Sequence, residues 1–120
     1  MLLADPEADS LRPVTPSPKH PYKIWRPGKE SGTIEPFVPQ DPSVFQEPFN
    51  LGRNALPPAY VQVGAMEVIR TPVVTERGRM AGNRILGLWV ENPLWTVNID
   101  TELDFQLAEL SLKRLLNGQL

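Results

Sequence analysis

Polar and acidic side chains gather between Asn98 and Asp104, inside the stretch WTVNIDTELDFQLAEL that begins at Trp95. An aspartate such as Asp100, with an amide two residues before it, offers the oxygen ligands that Mg²⁺ takes in proteins. The same residue types also occur at helix starts, where Asp and Thr accept hydrogen bonds from free backbone N–H groups. The residues alone therefore leave two hypotheses for Asp100, a cation ligand and a helix cap.

A second group of candidate residues is basic. Lys19, His20, Lys23 and Arg26 lie together in KHPYKIWR, and Arg53 lies in LGRNALPP. An arginine can hold a carboxylate or a phosphate through two parallel hydrogen bonds. The alternative for such a basic run is a solvated loop surface, and for a lone arginine an exposed ion pair that contributes less than ~1 kcal/mol.

The elements around Asp100 decide where its carboxylate points. Leucines recur at helical spacing after Thr101, and Asp104 stands three residues beyond it, as in a capping box, so a helix is predicted over 101–116. Asn117-Gly118 supplies its end. TVNI, residues 96–99, is predicted to be a short strand, which would place Asp100 at the lip of a sheet, where α/β folds bind ligands.

The preceding residues supply the remaining strands. Residues 60–70 form a strand candidate that Gly64 interrupts, which indicates a bulge or a close approach of a ligand or of neighbouring backbone. Residues 71–83 are predicted to be a short helix or a loop, and residues 84–90, RILGLWV, a buried strand. Strand, turn and helix in this order are typical of an α/β sheet.

Proline separates the two halves of the chain, because 12 of its 14 prolines precede Ala59. No helix is predicted over 1–59, since proline lacks the backbone donor and breaks helices and central strands. KHPYKIW and GTIEPFVP are predicted to be the strands of an irregular hairpin around RPGKESG. Bulky apolar residues are spread between the prolines, which indicates packed structure rather than a linker.

Composition excludes several classes of protein. The chain has 120 residues, no cysteine and one histidine, so a disulfide framework, a thiolate zinc site and a multi-histidine metal site within one chain are excluded. A net charge of −2 gives no reason to expect nucleic acid or an anionic membrane as partner. Without a signal peptide or a membrane-length apolar run, a cytoplasmic location is expected.

Three segments in order, DSLRPVTPSPKHPYKIW, ALPPAYVQVGAMEVIR and NIDTELDFQLAE, resemble the C-terminal half of the bacterial acylneuraminate cytidylyltransferases, the CMP-sialic acid synthetase family. The resemblance implies an α/β fold, the C-terminal part of a Rossmann-like nucleotidyltransferase domain. It also implies a proline-rich dimerisation arm at residues 13–59 and sheet strands with a C-terminal helix at residues 60–120.

The implied activity is transfer of CMP from CTP to a 2-keto sugar acid, with Mg²⁺ as cofactor and pyrophosphate as the second product. In this interpretation Asp100 is the catalytic residue and metal ligand, and Asn98 is a second, weaker ligand. Lys23, Arg53, Gln62 and Gly64 contact the substrates, and Arg53 does so across a homodimer.

This sequence departs from the family pattern in three ways. It has no glycine-rich basic loop for the triphosphate, so the nucleotide-binding half is expected to be absent and the chain inactive by itself. Asn98 stands where the family usually has an aspartate, which weakens the expected metal affinity. Glu67 stands where the family often has an aromatic residue.

A function of another class also fits the residues, namely a non-catalytic dimerisation module or a proline-rich interaction module. PVTP, PKHP, PFVP and PQDP all have the spacing of polyproline ligands. The bulky apolar residues between these prolines favour packed arms over an exposed ligand.

Overall fold

A computed structural model describes residues 1–118 and shows both helix and strand, 30% and 19% of the chain. The strands are β1 (Ser10–Pro16), β2 (Trp25–Pro27), β3 (Ile34–Pro36), β4 (Tyr60–Gln62), β5 (Val68–Ile69) and β6 (Ile85–Trp89), and the helices are α1 (Thr71–Thr75) and α2 (Glu102–Leu116). The chain divides into two compact units, a proline-rich unit of residues 16–60 and a sheet unit of residues 1–15 and 61 onward. No helix among residues 1–118 is both long and apolar enough to cross a membrane.

Strand β1 is the centre of a four-stranded sheet, although it contains Pro13 and Pro16. It runs parallel to β6 over its first five residues, antiparallel to β5 at Ser10 and Leu11, and beside β4. The sequence rule that proline breaks a central strand is wrong here. Pro13 is buried, and its carbonyl accepts from the Val63 N–H at 2.9 Å. Its nitrogen, which carries no hydrogen, lies at the point along β1 where the neighbouring strand changes from β5 to β4.

The Asp9 carboxylate fixes the start of β1 against the start of β6. Its Oδ2 accepts from the backbone N–H groups of Asn83 at 2.7 Å and Arg84 at 3.1 Å, and its Oδ1 accepts from the Arg77 guanidinium at 2.9 Å. Gly82 adopts φ +78° beside this carboxylate, and a Cβ there would collide with Asp9. A single buried acid therefore sets the register of the parallel pair.

Arg70 binds the N-terminal segment to the sheet unit in the same way. Its Nε donates to the Ala8 carbonyl at 2.7 Å, and its Nη2 donates to the carbonyls of Leu2 at 2.7 Å and Asp5 at 3.0 Å. Helix α1 follows at once, with Pro72 in its first turn and Val73 buried. The sequence left a short helix or a loop open for residues 71–83, and the structure has a helix only over Thr71–Thr75.

Two strand predictions need correction. Residues 96–99 form no strand. They follow a 3₁₀ helix, Pro93–Trp95, and the Thr96 hydroxyl donates to the Pro93 carbonyl at 2.8 Å at the end of that helix. Residues 60–70 hold two short strands rather than one. The strand predicted over residues 84–90 is confirmed as β6, but it is not buried, since Ile85 is 48% exposed and Trp89 60%.

Helix α2 confirms the C-terminal prediction from Thr101 to Gly118. Thr101 is its N-cap and Asp104 completes a reciprocal capping box. After the C-cap Asn117, Gly118 adopts φ +66° and its N–H donates to the Leu115 carbonyl at 3.2 Å. The leucine stripe of α2 remains exposed in the described part of the chain, from 46% at Leu107 to 77% at Leu116.

The predicted hairpin is also present in the proline-rich unit. β2 and β3 pair antiparallel, and Arg26 Nε donates to Glu35 Oε1 at 2.9 Å across the pair. The Gly28 N–H donates to the Thr33 carbonyl at 2.9 Å to close the turn. The unit begins at Pro16 rather than at residue 13, because residues 13–15 belong to β1.

Loss of the Asp9 charge is expected to destabilise the sheet unit in a pH-dependent manner. The backbone N–H groups of Arg84 and Asn83, and then the Arg77 charge, hold the pKa of Asp9 below its usual range. A carboxyl whose folded pKa is lowered contributes stability above its unfolded pKa of about 3.9, and this contribution is lost as the pH falls through the folded value. Asp9→Asn should unfold at lower urea concentration than the wild type at pH 7, with the gap closing below about pH 4.

The matched control is Glu76→Gln, which changes an exposed acid with no side-chain bond in the described structure. Urea unfolding followed by circular dichroism at pH 7 and pH 3 measures both variants. If the urea concentrations at which Asp9→Asn and the wild type unfold differ by the same amount at both pH values, the charge of Asp9 does not hold the register.

Candidate functional site

Three of the predicted site residues converge in the sheet unit. Asn98 Nδ2 donates to Asp100 Oδ2 at 2.7 Å, and the amide oxygen of Asn98 faces Gly64. A Cβ built on Gly64 would lie 3.0 Å from Asn98 Oδ1, which is closer than side chains normally approach. Gly64, Asn98 and Asp100, here termed the Asp100 cluster, are all exposed to solvent.

Glycine at position 64 is what permits this approach. The residue follows β4, whose strand ends at Gln62, and the chain turns there before β5. The sequence predicted a bulge or the approach of a ligand or of neighbouring backbone at Gly64, whereas the approaching group is the Asn98 side-chain amide. The two segments are far apart in sequence, so the fold brings them together.

Asp100 does not cap the helix. Asp104 Oδ2 accepts from the backbone N–H of Thr101 at 2.8 Å, from the Thr101 hydroxyl at 2.7 Å and from the Asp100 N–H at 3.2 Å. The Thr101 hydroxyl in turn accepts from the Asp104 N–H at 3.2 Å. The cap thus occupies Thr101 and Asp104 and leaves the Asp100 carboxylate to Asn98 alone in the described structure.

The charge states at the helix start agree with this division. The Thr101 hydroxyl, followed by its backbone N–H, lowers the pKa of Asp104 below its usual range. Two negative carboxylates, Asp104 and Glu102, lie in the first turn of α2, where the helix dipole favours them. The capping acid is consequently held ionised by the helix, independently of any ligand.

Magnesium requires more ligands than the Asp100 cluster supplies. No group of three or more His, Cys, Asp or Glu side chains within residues 1–118 is arranged to hold a metal ion. Asp100 Oδ1 accepts no hydrogen bond in this part of the chain, so one carboxylate oxygen remains for a cation. Such a site fits an ion that brings phosphate oxygens and waters as its other ligands, as Mg²⁺ does with nucleotides.

Gln62 belongs to a different polar network. Its Oε1 accepts from Arg12 Nη1 at 2.7 Å and its Nε2 donates to Glu67 Oε1 at 2.5 Å. Arg12 Nη2 completes the network with Glu67 Oε2 at 3.2 Å and the Met80 carbonyl at 3.4 Å. The sequence analysis missed Arg12, because only the pairing of β1 with β4 brings it beside Gln62.

The two predicted basic ligands lie in the proline-rich unit. Arg53 Nη2 donates to the Pro18 carbonyl at 2.6 Å, beside a cavity of about 180 Å³ that is lined mainly by prolines together with His20 and Tyr60. His20 is buried, and both ring nitrogens are bonded, since Nδ1 accepts from the Tyr22 N–H and Nε2 donates to the Pro57 carbonyl. Lys23 is exposed at the end of the 3₁₀ helix Pro21–Lys23 and does not line this cavity.

The polyproline segments are partly used for packing. PVTP forms the end of β1 with Pro13 buried, and PKHP contains the buried His20. Neither segment is free to present an extended ligand surface. PFVP begins with Pro36, the last residue of β3, and the rest of PFVP and PQDP lie outside the strands of the proline-rich unit.

Comparison of the sequence with known protein families finds no matching family, and comparison with curated proteins finds no match either.

The roles of the residues at the start of α2 can be separated by stability. Thr101→Ala removes the N-cap and is expected to lower the free energy of unfolding by about 1 kcal/mol. Asp100→Asn keeps the capping box and should change this free energy by less than about 0.5 kcal/mol. Urea unfolding at pH 7 measures both, and equal losses for the two variants would mean that Asp100 is part of the cap.

Proposed function

We propose that this chain supplies the sugar-binding and metal-binding half of a cytidylyltransferase for 2-keto sugar acids, with a Rossmann-like α/β fold when its nucleotide-binding half is present. Two facts support the proposal. The three sequence segments resemble this family in order and spacing. The Asp100 cluster joins residues of two of those segments in one exposed place.

The observation that carries the proposal is that the Asp100 carboxylate is not used by the helix behind it. Thr101 and Asp104 satisfy the helix start by themselves. Asp100 is exposed, and its one side-chain partner is a neutral amide, so it needs no further group for stability. The Asp100 carboxylate therefore takes no part in the helix cap, and it lies beside Asn98, whose amide fits against Gly64. This makes Asp100 a candidate for ligand binding.

The proposed reaction forms one bond and breaks one bond. The anomeric hydroxyl oxygen of the sugar attacks the α-phosphorus of CTP, its proton is lost, and pyrophosphate leaves. Asp100 would hold Mg²⁺, which would supply positive charge for the phosphate oxygens. Asn98 could add its amide oxygen as a weaker ligand only after the amide turns, because its N–H now donates to Asp100.

The other residues of this chain position the reactants. Exposed Lys23 and Arg53 carry positive charge suited to a carboxylate or a phosphate. Gln62 is held by Arg12 and Glu67, and its exposed amide keeps a second N–H and a second Oε1 lone pair for sugar hydroxyls.

A dimerisation module is the second candidate function. Ile34 is 64% exposed and Phe37 58% exposed on the hairpin of the proline-rich unit. Large apolar side chains at this exposure favour a covering partner, and a homodimer through this unit is part of the proposal.

The direct test of the enzyme is reconstitution with the glycine-rich nucleotide-binding half of a cytidylyltransferase. The chain alone should form no CMP-sugar from CTP, and the reconstituted wild type should do so with Mg²⁺. Asp100→Asn should lose the activity at least about a hundredfold, since a carboxylate at the metal is replaced by a neutral amide. Asn98→Asp should lower the Mg²⁺ or Mn²⁺ concentration needed for half-maximal rate, because it pairs two carboxylates.

Thr101→Ala is the matched control, because it perturbs the same turn without changing its charge. It should lose stability while keeping most of the activity. Full turnover in the Asp100→Asn enzyme would contradict the metal assignment.

The position of Arg53 predicts which subunit it serves. Mixed dimers in which one chain carries Arg53→Ala and the other carries Asp100→Asn isolate a single competent Asp100 site. If Arg53 acts across the dimer, the remaining Asp100 site receives the intact Arg53 of the other chain, and activity should equal that of dimers carrying Asp100→Asn on one chain alone. A loss of activity relative to those dimers would place Arg53 at its own subunit's site.

A further inference from the structure

Helix α2 leaves apolar side chains exposed on both sides of the line by which it packs. The positions that are not exposed form that line, at a spacing of three or four residues: Asp104, Ala108, Ser111 and Leu115. Large apolar side chains lie beside it and are 46–77% exposed: Leu103, Phe105, Leu107, Leu110, Leu112 and Leu116. Scattered apolar residues need no partner, but a continuous set of this size on one helix indicates a contact surface.

These side chains belong to two opposite flanks of the helix. An α-helix turns by about 100° per residue, so Leu103, Leu107 and Leu110 lie within about 60° of one another around the axis. Their spacing in sequence is four residues and then three, and Arg114 follows after four more. This is the spacing of the positions that face a partner helix in a packed pair. The four residues are here termed the Leu107 flank.

Charges of opposite sign stand at the two ends of α2. Glu102 and Asp104 lie in the first turn, and Lys113 and Arg114 lie in the last. Asp104 is committed to the capping box, whereas Glu102, Lys113 and Arg114 form no ion pair within residues 1–118. A partner that complements this surface therefore has a cation opposite Glu102 and an acid opposite Arg114. A second copy of α2 supplies both when it runs in the opposite direction.

We propose that α2 packs antiparallel against α2 of a second copy of this chain through the Leu107 flank. With the two helices fully overlapped, Leu107 faces Leu110 of the other copy, and Leu103 faces the aliphatic stem of Arg114. The guanidinium of Arg114 then lies beside Glu102 of the other copy, once at each end of the pair. The contact is self-complementary, as a two-fold interface requires.

Electrostatics select the antiparallel direction. A parallel pair would set Arg114 beside Arg114 and Glu102 beside Glu102, and like charges in contact across an interface are unfavourable. The helix dipoles act in the same sense, because antiparallel helices place the positive N-terminal end of one beside the negative C-terminal end of the other. Both effects favour a second copy that runs in the opposite direction.

The opposite flank does not suit the same contact. It carries Phe105, Leu112 and Leu116, but Glu109 lies within about 60° of all three around the axis. In a fully overlapped antiparallel pair the middle of the helix meets itself, so Glu109 would approach Glu109 of the other copy. This acid therefore favours the Leu107 flank as the two-fold contact.

Site-specific cross-linking reports on α2 itself, separately from the homodimer contact proposed for the proline-rich unit. The natural chain has no cysteine, so thiols can be placed on α2 alone. Leu107→Cys chains are mixed with Leu110→Cys chains, one of them carrying a size tag, and are treated with a short thiol-to-thiol cross-linker at micromolar concentration. The axes of packed helices lie roughly 8–10 Å apart, a distance that such a reagent spans.

The matched control is a mixture of Phe105→Cys and Leu112→Cys chains, whose thiols would lie opposite each other at the same overlap but on the other flank. The mixed covalent dimer of the Leu107 flank should form at least roughly tenfold faster than that of the control, because the contact raises the local concentration of the second thiol. Equal rates in the two mixtures would overturn the proposal.

Charge reversal tests the direction of the pair. In the cysteine-bearing chains of the Leu107 flank, Arg114→Glu should slow cross-linking at least roughly threefold, since it sets two acids together at each end. Adding Glu102→Arg to Arg114→Glu restores opposite charges in an antiparallel pair, and the rate should return to within about twofold of the original. A double variant that cross-links no faster than Arg114→Glu alone contradicts the antiparallel contact.

Sedimentation of chains with the natural leucines covers the case in which a cysteine variant does not fold. The mean mass at a fixed concentration should fall with Arg114→Glu and recover in the double variant. A different occupant is also detectable. If the chain alone forms no α2 contact, and an added nucleotide-binding half protects the α2 thiols from reaction, the proposal is wrong and the flank belongs to that polypeptide.

Discussion

The structure depends on polar side chains that bind backbone groups, because very few apolar side chains are buried. Among the described residues the buried apolar side chains are Ala8, Leu56, Val63 and Val73 together with Pro13 and Pro48. In place of a large core, buried or half-buried polar groups fix the chain: Asp9 holds two backbone N–H groups, Arg70 holds three carbonyls, and His20 joins two segments of the proline-rich unit. Such contacts are directional, so they set register even where packing contributes little.

The two aspartates at the start of α2 have different hydrogen-bond partners. One aspartate, Asp104, is devoted to the capping box, with its pKa lowered by Thr101. The carboxylate of the other, Asp100, bonds one side chain within residues 1–118, the Asn98 amide, which lies against Gly64. In this arrangement the Asn98 N–H takes a place beside the carboxylate that a cation would otherwise take, so Asn98 both stabilises Asp100 and weakens its demand for a metal.

Local signals in the sequence predicted the elements that local bonds create. The hairpin around Pro27-Gly28 and the helix from Thr101 to Gly118 follow from turn and cap residues within a few positions, and both are present. The central position of β1 could not be predicted, because Pro13 is acceptable only where the ladder changes from β5 to β4, which is a property of pairing. The strand expected at residues 96–99 failed for a related reason, since Thr96 closes a 3₁₀ turn and no strand lies beside it.

The candidate site was predictable in part for the same reason. Asn98 and Asp100 are two residues apart in sequence, so their proximity was predictable. A close approach at Gly64 was also predictable, but the group that approaches it was not. Gln62 was expected to face a ligand and is instead bonded to Arg12 and Glu67, whose proximity depends on the sheet. The apolar edge of β6 was expected to be buried, and its exposure became visible only once the neighbours of β1 were known.

The central claim, that Asp100 is the cation-facing carboxylate of this chain, is tested most directly by paramagnetic broadening of amide NMR signals with Mn²⁺. We predict that broadening of the wild-type spectrum is strongest at Gly64 and residues 98–101. In Asn98→Asp the same broadening should need a lower Mn²⁺ concentration. In Asp100→Asn it should disappear from these residues. Broadening that centres on other carboxylates, such as Glu67 or Asp41, or that persists unchanged at residues 98–101 in Asp100→Asn, would contradict the account.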